Sequence, residues 1–71
     1  MRRKLIEESV YLDHTIRFEE ITERVLRVVV LDPADRVVFD SACSVEERTD
    51  VTFRKELEGL IRRFDTGIYF D

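Results

Sequence analysis

Apolar and polar positions alternate along the first half of the chain, and this period of two is its clearest pattern. From Val10 to Phe18 every second residue is apolar or is His14, and the residues between them are mostly polar. Successive side chains of a strand point to opposite faces, so the alternation predicts a single strand with one buried face. Residues 2–9 fit a short helix or a strand. Residues 2–4 are basic and would oppose a helix dipole, so we expect strand or disorder.

Two further strands are predicted on either side of a turn. Residues 24–31 are rich in valine, and β-branched residues fit a pleated sheet better than a helix. Residues 36–41 form the next predicted strand. The segment between them, Asp32-Pro33-Ala34-Asp35, has Asp and Pro at the first two positions of a type I turn. This pattern predicts a β-hairpin with a four-residue loop.

The four-residue loop gives the hairpin a register. It pairs Val30 with Val37 and Arg27 with Asp40, and directly opposed residues share a face of the sheet. One face then collects only apolar residues, namely Leu26, Val28, Val30, Val37 and Phe39. The other face carries aliphatic residues beside the charged pair, namely Val25, Val29, Leu31 and Val38. We expect the first face to be the core and the second to be an interaction surface.

A helix is predicted from about Val51 to Phe64. Its apolar residues recur at helical spacing with charged residues opposite, so one stripe should pack on a sheet. The stripe consists of Phe53, Leu57, Leu60, Ile61 and Phe64. Gly67 can end the helix, and residues 68–70 would then form a short C-terminal strand. The predicted fold is α+β, with a three- or four-stranded antiparallel sheet in the order β-β-β-α and one helix on one face.

Length and composition indicate the number of domains and the cellular compartment. The chain has 71 residues, which corresponds to a single domain over residues 1–71. Cys43 is the only cysteine, which excludes an internal disulfide and favours a reducing, cytoplasmic setting. We expect neither an export signal nor a membrane span, because acidic residues interrupt the N-terminal segment and no apolar run approaches about 20 residues. The chain contains no Asn or Gln, a depletion that accompanies growth at high temperature, although ten Arg against two Lys weaken that interpretation.

Charge suggests an alternative function. The net charge of −4 argues against a nucleic-acid partner, so RNA or DNA binding is the weakest alternative. Carboxylates cluster at the predicted turn and after the third strand, and Ca²⁺ takes six to eight oxygen ligands. The candidate cation ligands are Asp32, Asp35, Glu46, Glu47 and Asp50. A Ca²⁺-binding domain is therefore an alternative hypothesis, and no other cofactor is expected.

The single histidine and the single cysteine are the remaining candidates for chemistry. If Glu19 opposes Arg27, His14 falls opposite Asp32 at the end of the sheet. If Arg17 opposes Arg27 instead, His14 falls opposite Val30. Cys43 precedes the segment 44–47, Ser-Val-Glu-Glu, which resembles a capping box, and we expect an unreactive, packed thiol.

No catalytic motif is present in the sequence. There is no glycine-rich phosphate loop, no nucleophile elbow and no zinc-protease motif, so we expect a non-enzyme. The main hypothesis is a binding or regulatory domain that associates with itself, as a homodimer, or with another protein through the second sheet face.

Overall fold

The computed structural model describes residues 4–66, which form a four-stranded antiparallel sheet followed by one helix that packs against it. The elements in chain order are β1 (Leu5–Tyr11), β2 (His14–Glu20), β3 (Val25–Leu31), β4 (Val37–Ser44), a 3₁₀ helix (Glu46–Thr49) and α1 (Val51–Thr66). The strands lie side by side in sequence order. The predicted α+β class is confirmed, and the N-terminal segment is a strand from Leu5 onward. The predicted C-terminal strand lies outside the described residues.

The predicted single strand from Val10 to Phe18 is wrong, because the chain reverses at Leu12 and Asp13. Both residues have positive φ, 50° and 62°, and Tyr11 pairs directly with His14. Positive φ at both central residues defines the type I′ hairpin turn, which is usually built from Asn and Gly. The reversal moves Val10 and Leu12 away from the core, and both are exposed.

The register between β2 and β3 follows the first of the two predicted alternatives. Glu19 pairs with Arg27, and Thr15 pairs with Leu31. The alternative that opposed Arg17 to Arg27 is wrong. His14, one residue before Thr15, therefore lies at the end of the sheet beside Asp32.

The turn between β3 and β4 is where it was predicted, but the predicted register is wrong. Asp32 N donates to Arg36 O at 2.8 Å, and Asp35 lies between them with a φ of 64°. A type I turn followed by a left-handed residue makes a three-residue loop, which shifts the register by one. A bulge at the start of β4 shifts it by one more, so Val30 pairs with Phe39 and Val29 with Asp40.

Two shifts of one residue restore the original faces for most of the hairpin. Because side chains alternate with a period of two, Val28, Val30 and Phe39 still share the face that was predicted for them. The bulge itself exchanges two residues. Val37 pairs with Leu31 and is 55% exposed, whereas Val38 packs against the core.

The core lies between α1 and the near face of the sheet. Phe18, Val28, Val30 and Ile61 are fully buried there, and Leu57 adds a second buried side chain from α1. The remaining members of the cluster are Ile16, Leu26 and Cys43, with partly buried Tyr11, Val38, Phe39, Val45 and Phe53 packed against it. Three residues of the predicted helical stripe, Phe53, Leu57 and Ile61, therefore pack towards the sheet.

Candidate functional site

The face of the sheet opposite α1, here called the far face, carries a network of four charged side chains. Arg27 donates from Nε to Asp40 Oδ1 at 2.9 Å and from Nη2 to Asp40 Oδ2 at 2.7 Å. Its Nη1 donates to Glu19 Oε1 at 3.1 Å, and Arg17 Nε lies 3.6 Å from Glu19 Oε2. The hydrogen bonds to Asp40, followed by those to Glu19, raise the pKa of Arg27 against the effect of burial. Paired charges thus cover the middle of this face.

The four residues predicted as an interaction face do not form one exposed patch. Val29 is only 4% exposed, between its register partners Arg17 and Asp40. The stems of long charged side chains can cover apolar surface in this way. Val38 packs against the core on the α1 side, because of the bulge. Val25 and Leu31 lie at opposite ends of β3.

A different apolar row crosses the hairpin end of the far face. The register places Val10, Thr15, Leu31 and Val37 side by side on β1 to β4. Val10 is 68% exposed and Leu31 is half-buried. Sequence reasoning missed this row because it depends on the Leu12-Asp13 turn and the bulge, which the alternation conceals.

The predicted cation ligands are divided between the two ends of β4. Asp32 and Asp35 lie at the hairpin turn before the strand, whereas Glu46, Glu47 and Asp50 follow it. Within residues 4–66 there is no group of three or more histidine, cysteine or acidic side chains that could hold a metal ion. The two acidic segments therefore do not meet in a single site.

Two of these carboxylates have structural partners. Asp32 Oδ1 accepts from the backbone N–H of Ala34 and of Arg36 at 2.9 Å, and Oδ2 accepts from Arg36 Nε at 3.0 Å. The backbone hydrogen bond from Arg36 is the main cause that lowers the pKa of Asp32, against the effect of burial. Glu47 Oε1 accepts from Ser44 N at 2.8 Å while Ser44 Oγ accepts from Glu47 N at 3.2 Å. This reciprocal pair confirms the capping box predicted after Cys43.

Cys43 is buried in the core cluster as a free thiol. Burial, followed by the charge of Glu47, raises its pKa. A raised pKa leaves less thiolate at neutral pH, and the thiolate is the nucleophile. The side chain is therefore suited to packing.

A cluster of three charged side chains joins the β1 edge to the helical part of the chain. Glu7 accepts from Arg48 Nη1 at 2.7 Å and from Arg54 Nη2 at 3.0 Å. Arg54 also donates to Arg48 O at 2.6 Å and lies 5.9 Å from the centre of the Phe18 ring. Burial raises the pKa of Glu7, but the hydrogen bonds and charges of the two arginines outweigh it and lower the pKa overall.

The two edges of the sheet differ in how they are protected. Natural sheets protect exposed edges with bulges and charged residues. The β1 edge has a bulge between Leu5 and Glu7 and carries two successive glutamates. The β4 edge has its bulge near the turn, and the register from Phe39 to Ser44 is regular. Small residues 41 and 42, Ser and Ala, lie in the middle of that regular stretch, and both are exposed.

An apolar groove of about 180 Å³ runs beside β4, between this strand and α1. Its apolar walls come from Phe39, Phe53, Leu57 and Leu60. Two exposed residues of opposite charge, Glu56 and Arg63, also line it. These residues are seven positions apart on one helix, which puts them on the same side about 10 Å from each other. The groove adjoins the regular part of the β4 edge.

A second cleft, of about 250 Å³, lies at the end of the sheet. His14 lines it and is only 3% exposed, with its Nδ1 2.8 Å from Leu12 O. The predicted juxtaposition of His14 with Asp32 is present, since both line the cleft, but no hydrogen bond joins them. The other described residues that line it are Pro33, Arg36, Val38, Phe64 and Asp65.

Comparison with family models, with curated proteins and with solved structures found no match for this chain. Among residues 4–66, no helix is long and apolar enough to cross a membrane.

Proposed function

We propose that this chain is a small non-enzymatic association domain that joins a second copy of itself by pairing their β4 strands. The observation that carries the proposal is the regular β4 edge with an apolar groove beside it. Exposed strand edges accept another strand through backbone hydrogen bonds, and side-chain pockets next to the edge give specificity. The surface predicted from the sequence, the far face, is less suited because Val29 is buried and paired charges cover its middle.

Charge complementarity favours a second copy as the occupant of the groove. A two-fold dimer uses the same patch on both copies. Antiparallel pairing of two β4 strands extends the sheet to eight strands and brings the two α1 helices side by side in opposite directions. In that arrangement Glu56 of each copy faces Arg63 of the other copy. Each charged residue of the groove is therefore opposite a charge of the other sign. Apolar contact between the copies comes from Phe53 and Leu60.

Charge reversal on the helix tests the proposal. Analytical ultracentrifugation should show a dimer for the natural chain and a shift towards monomer for Arg63→Glu, because the variant puts like charges opposite each other. Glu56→Arg should have the same effect. The double variant Glu56→Arg/Arg63→Glu should recover the dimer, since it exchanges the two charges. Lys55→Glu is the matched control, because Lys55 is exposed on α1 and does not line the groove.

The same measurement separates the β4 edge from the far face. Val10→Asp places a charge in the exposed apolar row and should leave the dimer intact. A natural chain that stays monomeric at millimolar concentration would contradict the proposal. So would a dimer that Val10→Asp disrupts and Arg63→Glu does not.

A further inference from the structure

The cleft at the end of the sheet is lined by the buried ring of His14, and one nitrogen of this ring makes no hydrogen bond to the residues that the structure describes. His14 Nδ1 lies 2.8 Å from Leu12 O, and a carbonyl oxygen only accepts, so Nδ1 carries the hydrogen. In the neutral ring Nε2 is then an acceptor. No described residue makes a hydrogen bond to it. Because His14 lines the cleft, this acceptor offers a place there for a hydrogen-bond donor.

The charges around the cleft favour a cation. Asp32 and Arg36 form an ion pair at 3.0 Å and so largely cancel. Asp65 is exposed and has no ion pair among the described residues. It belongs to the last turn of α1, where the helix dipole is negative and attracts positive charge. The balance at the cleft is therefore negative.

The walls of the cleft add apolar surface. Val38 and Phe64 line it together with the polar residues. An aliphatic stem can pack on these side chains. The combination suits a ligand that has a positive, hydrogen-donating head and a short hydrocarbon stem.

We propose that this cleft binds an alkylammonium group, with the N–H of the ammonium donated to His14 Nε2 and its charge directed to Asp65. The group can belong to a free amine or to the lysine side chain of a protein. The site shares no described lining residue with the β4 groove, so it does not depend on the proposed dimer.

NMR titration with n-butylammonium, with sodium butyrate as a probe of equal length and opposite charge, tests the site. We expect butylammonium to shift the signals of His14, Val38 and Phe64 with a Kd of about 1 mM, as for a ligand of this size. Butyrate should leave these signals in place. Comparable shifts with butyrate, or no localised shift with excess butylammonium, would overturn the proposal.

Two variants assign the roles of the residues. Asp65→Asn should weaken butylammonium binding about twofold to fivefold, as expected for an exposed ion pair, whereas Asp50→Asn at the other end of α1 should not change it. His14→Phe removes the acceptor and keeps an aromatic ring, and should abolish the localised shifts. If His14→Phe does not fold, the comparison of Asp65→Asn with Asp50→Asn tests the site by itself. Equal binding by these two variants counts against the site.

A comparison of two amines identifies the source of the group. Putrescine represents a free diamine, and Nα-acetyl-lysine methylamide represents a lysine within a protein. Tighter binding of putrescine supports a free amine as the ligand, and tighter binding of the lysine compound supports a protein partner. Failure of both to bind overturns the proposal.

Discussion

At the scale of single residues, the β1–β2 turn places two successive non-glycine residues, Leu12 and Asp13, at positive φ. Left-handed conformations cost non-glycine residues about 1 kcal/mol, although Asp tolerates them better than most. Asp13 has a φ of 62°, so Asp13→Gly should raise the free energy of unfolding by about 0.5 kcal/mol, after allowing for the greater freedom of Gly in the unfolded chain. Urea denaturation measures the change. Asp13→Ala should lower stability, and the opposite order for Gly and Ala would contradict the turn geometry.

Two valines whose burial differs from the sequence prediction, Val29 and Val37, give a second test at this scale. Val29 is 4% exposed, so Val29→Ala should cost about 1.5 kcal/mol for two buried methyl groups. Val37 is 55% exposed, and Val37→Ala should change stability by less than about 0.5 kcal/mol. Denaturant midpoints compare the two variants directly. A larger loss for Val37→Ala than for Val29→Ala would indicate the register predicted from the sequence.

The β1–β2 turn and the β4 bulge show which local details cannot be predicted from the residue types. Asp32 and Pro33 identify their turn because both favour it chemically, whereas Leu12 and Asp13 lack the Gly or Asn that usually marks a type I′ turn. The alternation continues through Leu12, so nothing in the pattern separates β1 from β2. The bulge near Val38 could not be predicted from the sequence either, because no glycine or proline accompanies the extra residue.

At the scale of elements, the sequence predicted α1 and the core strands well because burial imposes their periodicity. Phe53, Leu57 and Ile61 of the helical stripe pack towards the sheet. Glu19 pairs with Arg27, as in the first of the two registers that the sequence allowed. Candidate sites were predicted less well. They depend on which faces and edges the registers leave open, so Val38 changed sides and the β4 groove could not be anticipated.

The cluster around Glu7 gives this scale a pH-dependent prediction. Its pKa is lowered below the ordinary 4.5, so its contribution to stability is present above that value and is lost as pH falls through the folded-state pKa. Glu7→Gln should therefore cost about 1 kcal/mol at pH 7, a value reduced for partial exposure, and the difference from the natural chain should shrink below about pH 4.5.

Thermal unfolding as a function of pH checks this expectation, with Glu8→Gln as the control. Glu8 is the exposed neighbour of Glu7 on the same strand and does not contact the two arginines. Its variant should follow the natural chain at all pH values. Parallel curves for Glu7→Gln and the natural chain would show that the cluster does not stabilise the fold through charge.

At the scale of the whole molecule, the small size of the chain makes association energetically relevant. A domain of 71 residues buries only about 60% of the surface that its unfolded chain exposes, so its stability is thin without additional burial. A dimer formed through β4 adds apolar burial in the groove and backbone hydrogen bonds along the edge. Because unfolding of a dimer also separates its chains, its stability rises with protein concentration, by about 1.4 kcal/mol per mole of dimer for each tenfold increase.

The melting temperature of the natural chain should therefore rise with concentration, whereas that of Arg63→Glu should rise less. The double variant Glu56→Arg/Arg63→Glu should regain the dependence, because only the direction of the two ion pairs has changed. Differential scanning calorimetry over a hundredfold range of concentration compares the three proteins. A constant melting temperature in the natural chain would mean that the dimer does not contribute to the stability of the fold. The core between α1 and the sheet would then stabilise the single chain by itself. Equal concentration dependence in all three would place the interface away from the groove.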